Sequence, residues 1–182
     1  MPIRPWADKI VKRSYILADV TSLITRVNGA PARVEDALQS IEERYVRVRT
    51  PKKGASGEAR PALRWSPLDH AGHLLDVDEL HSQRIKDFLN DVETLSVPTV
   101  GGIAEDKHYN RHELAPILQR FRVGRSTLAN VLYGLPEPAF TKESVYPKTG
   151  EKIRLLDYVE IIAEHDDHHL ATIRELIWNP SF

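Results

Sequence analysis

Residues 155–177 read "LLDYVEIIAEHDDHHLATIRELI", and the spacing within this stretch decides the fold. Tyr158, Ile162, His165, His169, Ile173 and Leu176 recur every three or four residues, the period of one helical face. Each residue of a helix advances about 100° around the axis. His169 therefore lies about 40° from His165, and Tyr158 and Leu176 about 20° from it. The apolar stripe passes through two imidazoles. His168 sits about 60° to the other side, at the edge of the stripe, and Asp167 points away. A buried imidazole needs a partner for at least one ring nitrogen. Two of them at i, i+4 on one face can turn those nitrogens onto a single ion.

Three further segments share this periodicity, and no strand-like alternation rises above them. The first, roughly Ile16 to Val46, places Val20, Leu23, Ile24, Val27, Val34, Leu38 and Ile41 on one side, interrupted by Asn28, Gly29 and Pro31. It reads equally as one kinked helix or as two consecutive ones. The second opens with Ser66 as N-cap, Pro67 at the first helical position and Asp69 near N3, and is expected to run to about Val92. The third runs from about His112 to Tyr133, with Leu114, Leu118, Phe121, Leu128, Val131 and Leu132 as its apolar set. The fourth spans Leu155 to Ile177 and stops before Pro180. The segments around "RTPKKGASGEARPALR", "SVPTVGGIAEDKHYN", "GLPEPAF" and "YPKTGEK" read as loops. Four long helices in a chain of 182 residues predict an all-α four-helix bundle. One domain is expected over 1–182, with its core at about 16–178.

Composition narrows the function. Lys and Arg total 25 against 26 Asp and Glu, a formal charge of −1, so no basic field favours nucleic acid or an anionic membrane. No apolar run approaches the ~20 residues of a membrane span, and the N-terminal segment has no signal-peptide pattern. A cytoplasmic protein is expected. The absence of cysteine removes disulfides, thiolate ligands and a protein thiol nucleophile. Of the eight histidines, His73 is the best third partner for His165 and His169. It is flanked by Leu74 and in line with Val77 and Leu80. His70 lies about 60° around the helix, His81 is in a more polar run, and His108 and His112 are in a loop. Three neutral imidazoles leave coordination positions open for water or substrate.

The same segments resemble a known family. "RWSPLDHAGHLLDVDELHSQRI" is similar to the W-S-x-x-x-x-x-x-H-L-x-D-x-E segment of the DinB/YfiT-like superfamily. "LLDYVEIIAEHDDHHLATIREL" is similar to its A-E-H-D-x-H-H-L-x-x-I segment, and "EDKHYNRHELAPILQRFRVGRSTL" to the stretch between, with its E-D-x-x-Y-N motif. The resemblance covers about residues 20–178. It implies a bundle with a crossed, up-down-down-up connection, a homodimer, and a three-histidine centre whose ligands map onto His73, His165 and His169. It also implies metal-dependent transferase or hydrolase chemistry on a small molecule, with a low-molecular-weight thiol as cosubstrate in some members. The expected cofactor is one divalent ion per chain, zinc or nickel first, with iron, manganese or copper also compatible. Asp166, Glu105 and Tyr109 are the candidate general bases. The competing reading is a non-catalytic protein whose ion staples two helices; a closed four-ligand shell would favour it.

Overall fold

A computed structural model describes residues 16–39, 41–51, 63–98 and 108–178. Helices α1 (Val20–Asn28), α2 (Ala30–Gln39), α3 (Glu43–Val46), α4 (Pro67–Leu89), α5 (Leu114–Tyr133) and α6 (Leu155–Trp178) dominate it. A hairpin of β1 (Glu143–Val145) and β2 (Lys152–Arg154) precedes α6. The first segment is not one helix; apart from the short α3 at its end, its α-helices are α1 and α2. Gly29 separates them, and Pro31 falls in the first turn of α2, where its missing N–H costs nothing. The Arg33 guanidinium folds back over Gly29 to the Arg26 carbonyl (3.1 Å).

The bundle core has two apolar clusters, and their membership gives the topology. One joins Leu23, Ile24 and Val27 of α1 to Ile85 and Phe88 late in α4, Leu128 and Leu132 late in α5, and Leu155 to Ile162 early in α6. The other joins Ala30, Val34 and Leu38 of α2 to Leu68, Ala71 and Leu74 early in α4, Ile117, Leu118 and Phe121 early in α5, and Leu170 and Ile173 late in α6. So α1–α2 and α6 run one way, α4 and α5 the other. Both α4 and α1–α2 pack mainly against α5 and α6, which sets consecutive long segments diagonally opposite at the first and last connections. This is the crossed up-down-down-up bundle.

Local chemistry fixes each long helix. The Ser66 hydroxyl accepts from Asp69 N (3.0 Å) while the Asp69 carboxylate accepts from Ser66 N (2.9 Å), a capping box around Pro67. Arg49 grips the same carboxylate through two bonds of 2.7 and 2.8 Å, a fork geometry that fixes orientation as well as charge. Asp157 reaches back to Arg154 N (2.9 Å) at the start of α6. Pro116 lies in the first turn of α5. Helix α4 ends at Leu89, short of Val92, because Asp91 turns into the left-handed region (φ 54°). Val131 is exposed rather than in the core, and Ile117 is buried. A one-residue step moves a side chain about 100°, so the stripe's edge is the least certain part of a periodic reading.

The loop reading before α6 needs correction. Pro136 leads into a 3₁₀ turn, Glu137–Thr141, and then the hairpin pairs Glu143 with Arg154, Ser144 with Ile153 and Val145 with Lys152. The strands are too short to show alternation. They are pinned to the segment after α4 by Val145 N to Glu93 O (2.8 Å) and Leu95 N to Val145 O (3.0 Å).

Between the two clusters lies a charged layer. Arg125 of α5 is fully buried, 2.9 Å from Asp166 of α6 and 3.1 Å from Asp78 of α4. Gly124 makes room for it: a Cβ there would come within 2.8 Å of the Asp78 carboxylate. Burial, opposed by Arg125, raises Asp78 to about 7 and Asp166 to about 6.

Breaking this triad from its centre should be costly. Arg125→Met strands two buried carboxylates and is expected to lose about 3–5 kcal/mol in urea unfolding at neutral pH; a loss under about 1 kcal/mol would show that the triad does not brace the bundle. Gly72→Ala is a second test, because its Cβ would overlap the Tyr109 ring. It should destabilise by about 1–3 kcal/mol, whereas Gly134→Ala, with its nearest contact at 3.5 Å, should be near neutral.

Candidate metal centre

The residues of "EHDDHH" (164–169) part in separate directions. Asp166 turns to Arg125. Glu164 and Asp167 face α1 and α2, where Arg26 bonds to Glu164 (2.6 Å) and Asp167 (2.6 and 2.9 Å), and Arg33 bonds to Asp167 (3.0 Å). With its acidic residues held on those sides, α6 can only present His165 and His169 toward α4. There they meet His73. The His165 Nε2 lies 3.3 Å from His73 Nε2 and 3.2 Å from His169 Nε2. One ring nitrogen from each of the three falls within 4.8 Å of the others.

This donor set fits a divalent ion. Three imidazole nitrogens at about 2.1 Å around a tetrahedral ion stand about 3.4 Å apart, close to the two Nε2 separations here. Coordination also needs neutral rings. Burial, with the charge of His165, lowers His73 to about 3; burial, Arg125, His168 and Lys148 lower His165 to about 3. Burial and the surrounding imidazoles hold His169 well below its ordinary value. The lone pairs are therefore available at neutral pH.

Several neighbours are not evident from sequence. His70 Nδ1 lies 2.7 Å from His169 Nδ1. If His169 coordinates through Nε2, its Nδ1–H donates and His70 accepts, which fixes both tautomers and aims the His169 ring. The i, i+3 spacing of His70 and His73 was the available signal. Trp65, just before the N-cap of α4, packs its ring 5.0 Å from His73 and stacks at 6.4 Å on His169. His81, for all its polar sequence surroundings, is buried and bonds to the Tyr158 hydroxyl (2.8 Å).

The candidate bases fall elsewhere. Tyr109 donates to Asp76 Oδ1 (2.6 Å) and covers Gly72; burial and that carboxylate push its hydroxyl pKa well up. Its neighbour Asn110 accepts from the Ser66 hydroxyl (2.7 Å) and donates to the Arg47 carbonyl (3.0 Å). The Y-N pair thus anchors the start of the helix that carries His73. Asp166 stays with Arg125, its nearest oxygen 3.9 Å from His165 Nδ1. Neither residue sits where a base for the trio needs to be. Glu105 lies outside the described residues.

The trio forms the floor of a cavity of about 600 Å³. Its walls include Trp65, Val77, Leu80, His81 and Arg84 of α4 and the segment before it, and Ile161 and His168 of α6. Val97, Pro98 and the hairpin residues Tyr146, Pro147 and Lys148 line it as well. The hairpin missed in the sequence is therefore a wall of the site. No described helix is long and apolar enough to cross a membrane.

Known proteins bear on this arrangement. No curated protein sequence matches the chain. Among solved structures, YfiT from Bacillus subtilis, described as a probable metal-dependent hydrolase with an unusual four-helix bundle topology, superposes with a TM-score of 0.75. The identity is 20%, over 91% of this chain and 90% of that one. A mycothiol-dependent maleylpyruvate isomerase superposes with a TM-score of 0.65 and 10% identity, over 88% of this chain but 63% of the isomerase. At these identities the two likenesses concern the fold. The family model of the DinB superfamily matches residues 26–173, and the chain belongs to that superfamily.

Proposed function

We propose that the chain is a metal-dependent enzyme acting on a small molecule, as a hydrolase or as a transferase using a low-molecular-weight thiol. His73, His165 and His169 would hold one divalent ion, zinc or nickel by preference. The observation that carries this reading is the convergence of three neutral imidazoles at the floor of a cavity, 3.2 and 3.3 Å apart at Nε2. A divalent ion held by neutral ligands keeps its charge and acts as a Lewis acid on a carbonyl, water or thiol placed beside it. The protein's part is to keep the rings neutral, aimed and partly dry. Burial does the first, and His70 and Trp65 do the second. The apolar wall of Val77, Leu80 and Ile161 does the third. The description of YfiT as a metal-dependent hydrolase and the thiol dependence of the isomerase support the reaction class. A closed structural staple is the alternative, and the convergence of three rather than four ligands among the described residues counts against it.

The assignment has a direct test. The purified, untagged protein should take up about one Co²⁺ per chain, and His169→Ala should reduce its affinity at least about 100-fold. His168→Ala should change it far less; equal losses would show that the wrong histidine has been assigned. Adding a small thiol to the Co²⁺ protein should produce a thiolate charge-transfer band. A spectrum indifferent to thiols, anions and chelators would favour the structural staple.

The same histidines predict the pH dependence of the metal-free protein. His70, His73 and His165 are lowered to about 3 from 6.5, chiefly by burial, and His81 and His169 are lowered as well. Below pH 6.5 the unfolded chain binds protons that the folded one excludes, so stability falls as pH drops toward about 3. Asp78 and Asp166, raised by burial, act in the opposite sense but are fewer. Thermal unfolding of the metal-free protein should therefore occur at lower temperature at pH 5 than at pH 7.5; an unchanged or higher midpoint at pH 5 would contradict it.

A further inference from the structure

The cavity above the trio carries a second chemical instruction. Its charged lining consists of Arg84 and Lys148, and among the described residues no aspartate or glutamate lines it. Arg84 is only 6% exposed. Its Nε donates to the Ser96 carbonyl (2.7 Å), Nη1 approaches the Tyr158 hydroxyl (3.4 Å), and the guanidinium lies over the Tyr146 ring at 5.2 Å. These contacts orient the group; Asp87, one turn on, feels its charge, but is not in ion-pair contact with it. A buried guanidinium without a carboxylate in ion-pair contact among the described residues is unusual, because desolvating a charge is costly unless it is paired.

Lys148 sits in the hairpin turn and lines the same cavity. Its charge is felt at His165, as that of Arg84 is at His81. The remaining walls include the apolar side chains of Val77, Leu80, Val97 and Ile161, with the imidazoles of His81 and His168 among them. One end of the space is thus suited to an ion's open positions, one flank to an anion and the rest to hydrocarbon.

We infer that the substrate or cosubstrate is a small carboxylate with an apolar body, its carboxylate held by Arg84 and Lys148 while its reacting end lies at the three histidines. The inference rests on the reading of that trio as the reactive end. Arg84 supplies the planar fork that suits a carboxylate, and Lys148 adds a second positive charge to the lining. The Tyr146 and Tyr158 contacts hold the fork in place before the ligand arrives, which lowers the ordering cost of binding.

The probe is 3-phenylpropionate against its neutral isostere 3-phenylpropionamide, titrated calorimetrically into the full chain with and without Co²⁺. The carboxylate should bind at least about tenfold more tightly than the amide, and Arg84→Gln should abolish that preference. Arg84→Lys should restore part of it, and Lys148→Gln should weaken it about threefold. Co²⁺ affinity, measured separately, should be unchanged in every variant. Equal binding of acid and amide, or a carboxylate preference that survives Arg84→Gln, overturns the inference; the latter would mean that the carboxylate sits on the ion alone. If Arg84→Gln does not fold, Lys148→Gln decides, and an unaltered preference there counts against the proposal. Failure of Co²⁺ binding in the unaltered protein would instead refute the metal reading, so the two failures are distinguishable.

Discussion

A guanidinium buried at the centre of the bundle, Arg125, fixes the rotation of the helices around it. Asp166 on α6 and Asp78 on α4 must both face it. Once Asp166 is turned inward, the about 100° step of the helix sends Asp167 toward α1–α2 and swings His165 and His169 onto the α4 side. Arg26 and Arg33 then hold the acidic outer face of α6 from both sides of the Gly29 break. The convergence of three imidazoles therefore depends on ion pairs of which none of the three is a member. Two apolar clusters of ordinary composition lie on either side of this layer and supply the burial that keeps it dry.

Such a layer is expensive. It interrupts the core with an arginine, two carboxylates and several histidines, where well-packed apolar residues of similar size would be no less stabilising. What it provides is register: α4, α5 and α6 cannot slide or rotate without separating a buried charge from its partner. The histidines use the same dryness differently. Burial keeps them neutral far below the pH at which exposed imidazoles take up protons, so the donor set is ready without competition from protons. The hydrogen bond between His169 and His70 needs a bare ring nitrogen as its acceptor, so at least one of the two imidazoles must be neutral.

Much of this was legible in the sequence, and the limits have physical causes. The helices were legible because long amphipathic segments repeat one period many times, and Ser66, Pro67 and Asp69 mark the start of α4 almost to the residue. His73, His165 and His169 were legible because they interrupt apolar stripes. The hairpin at 143–154 was not, since three-residue strands carry no measurable alternation. Helical angle alone places His70 about 60° from His73 and cannot show that a neighbouring helix brings His169 within 2.7 Å of it. Tyr109 and Asn110 formed a recognisable motif, but their place against Gly72 and Ser66 is a tertiary fact. Arg84 gave no signal, being one arginine among 25 basic residues until the fold buries it in a wall.

X-ray absorption of the Zn²⁺- or Ni²⁺-loaded chain, at neutral pH and without a tag, probes the centre most directly. Three imidazole nitrogens at about 2.0–2.1 Å, together with light non-imidazole scatterers that change when a small thiol is added, are the expected shell. His73→Ala, His165→Ala and His169→Ala should each remove one imidazole or the ion itself. A shell of four imidazoles unaffected by thiol, or one that persists in all three variants, would contradict an open three-histidine centre at this place in the bundle.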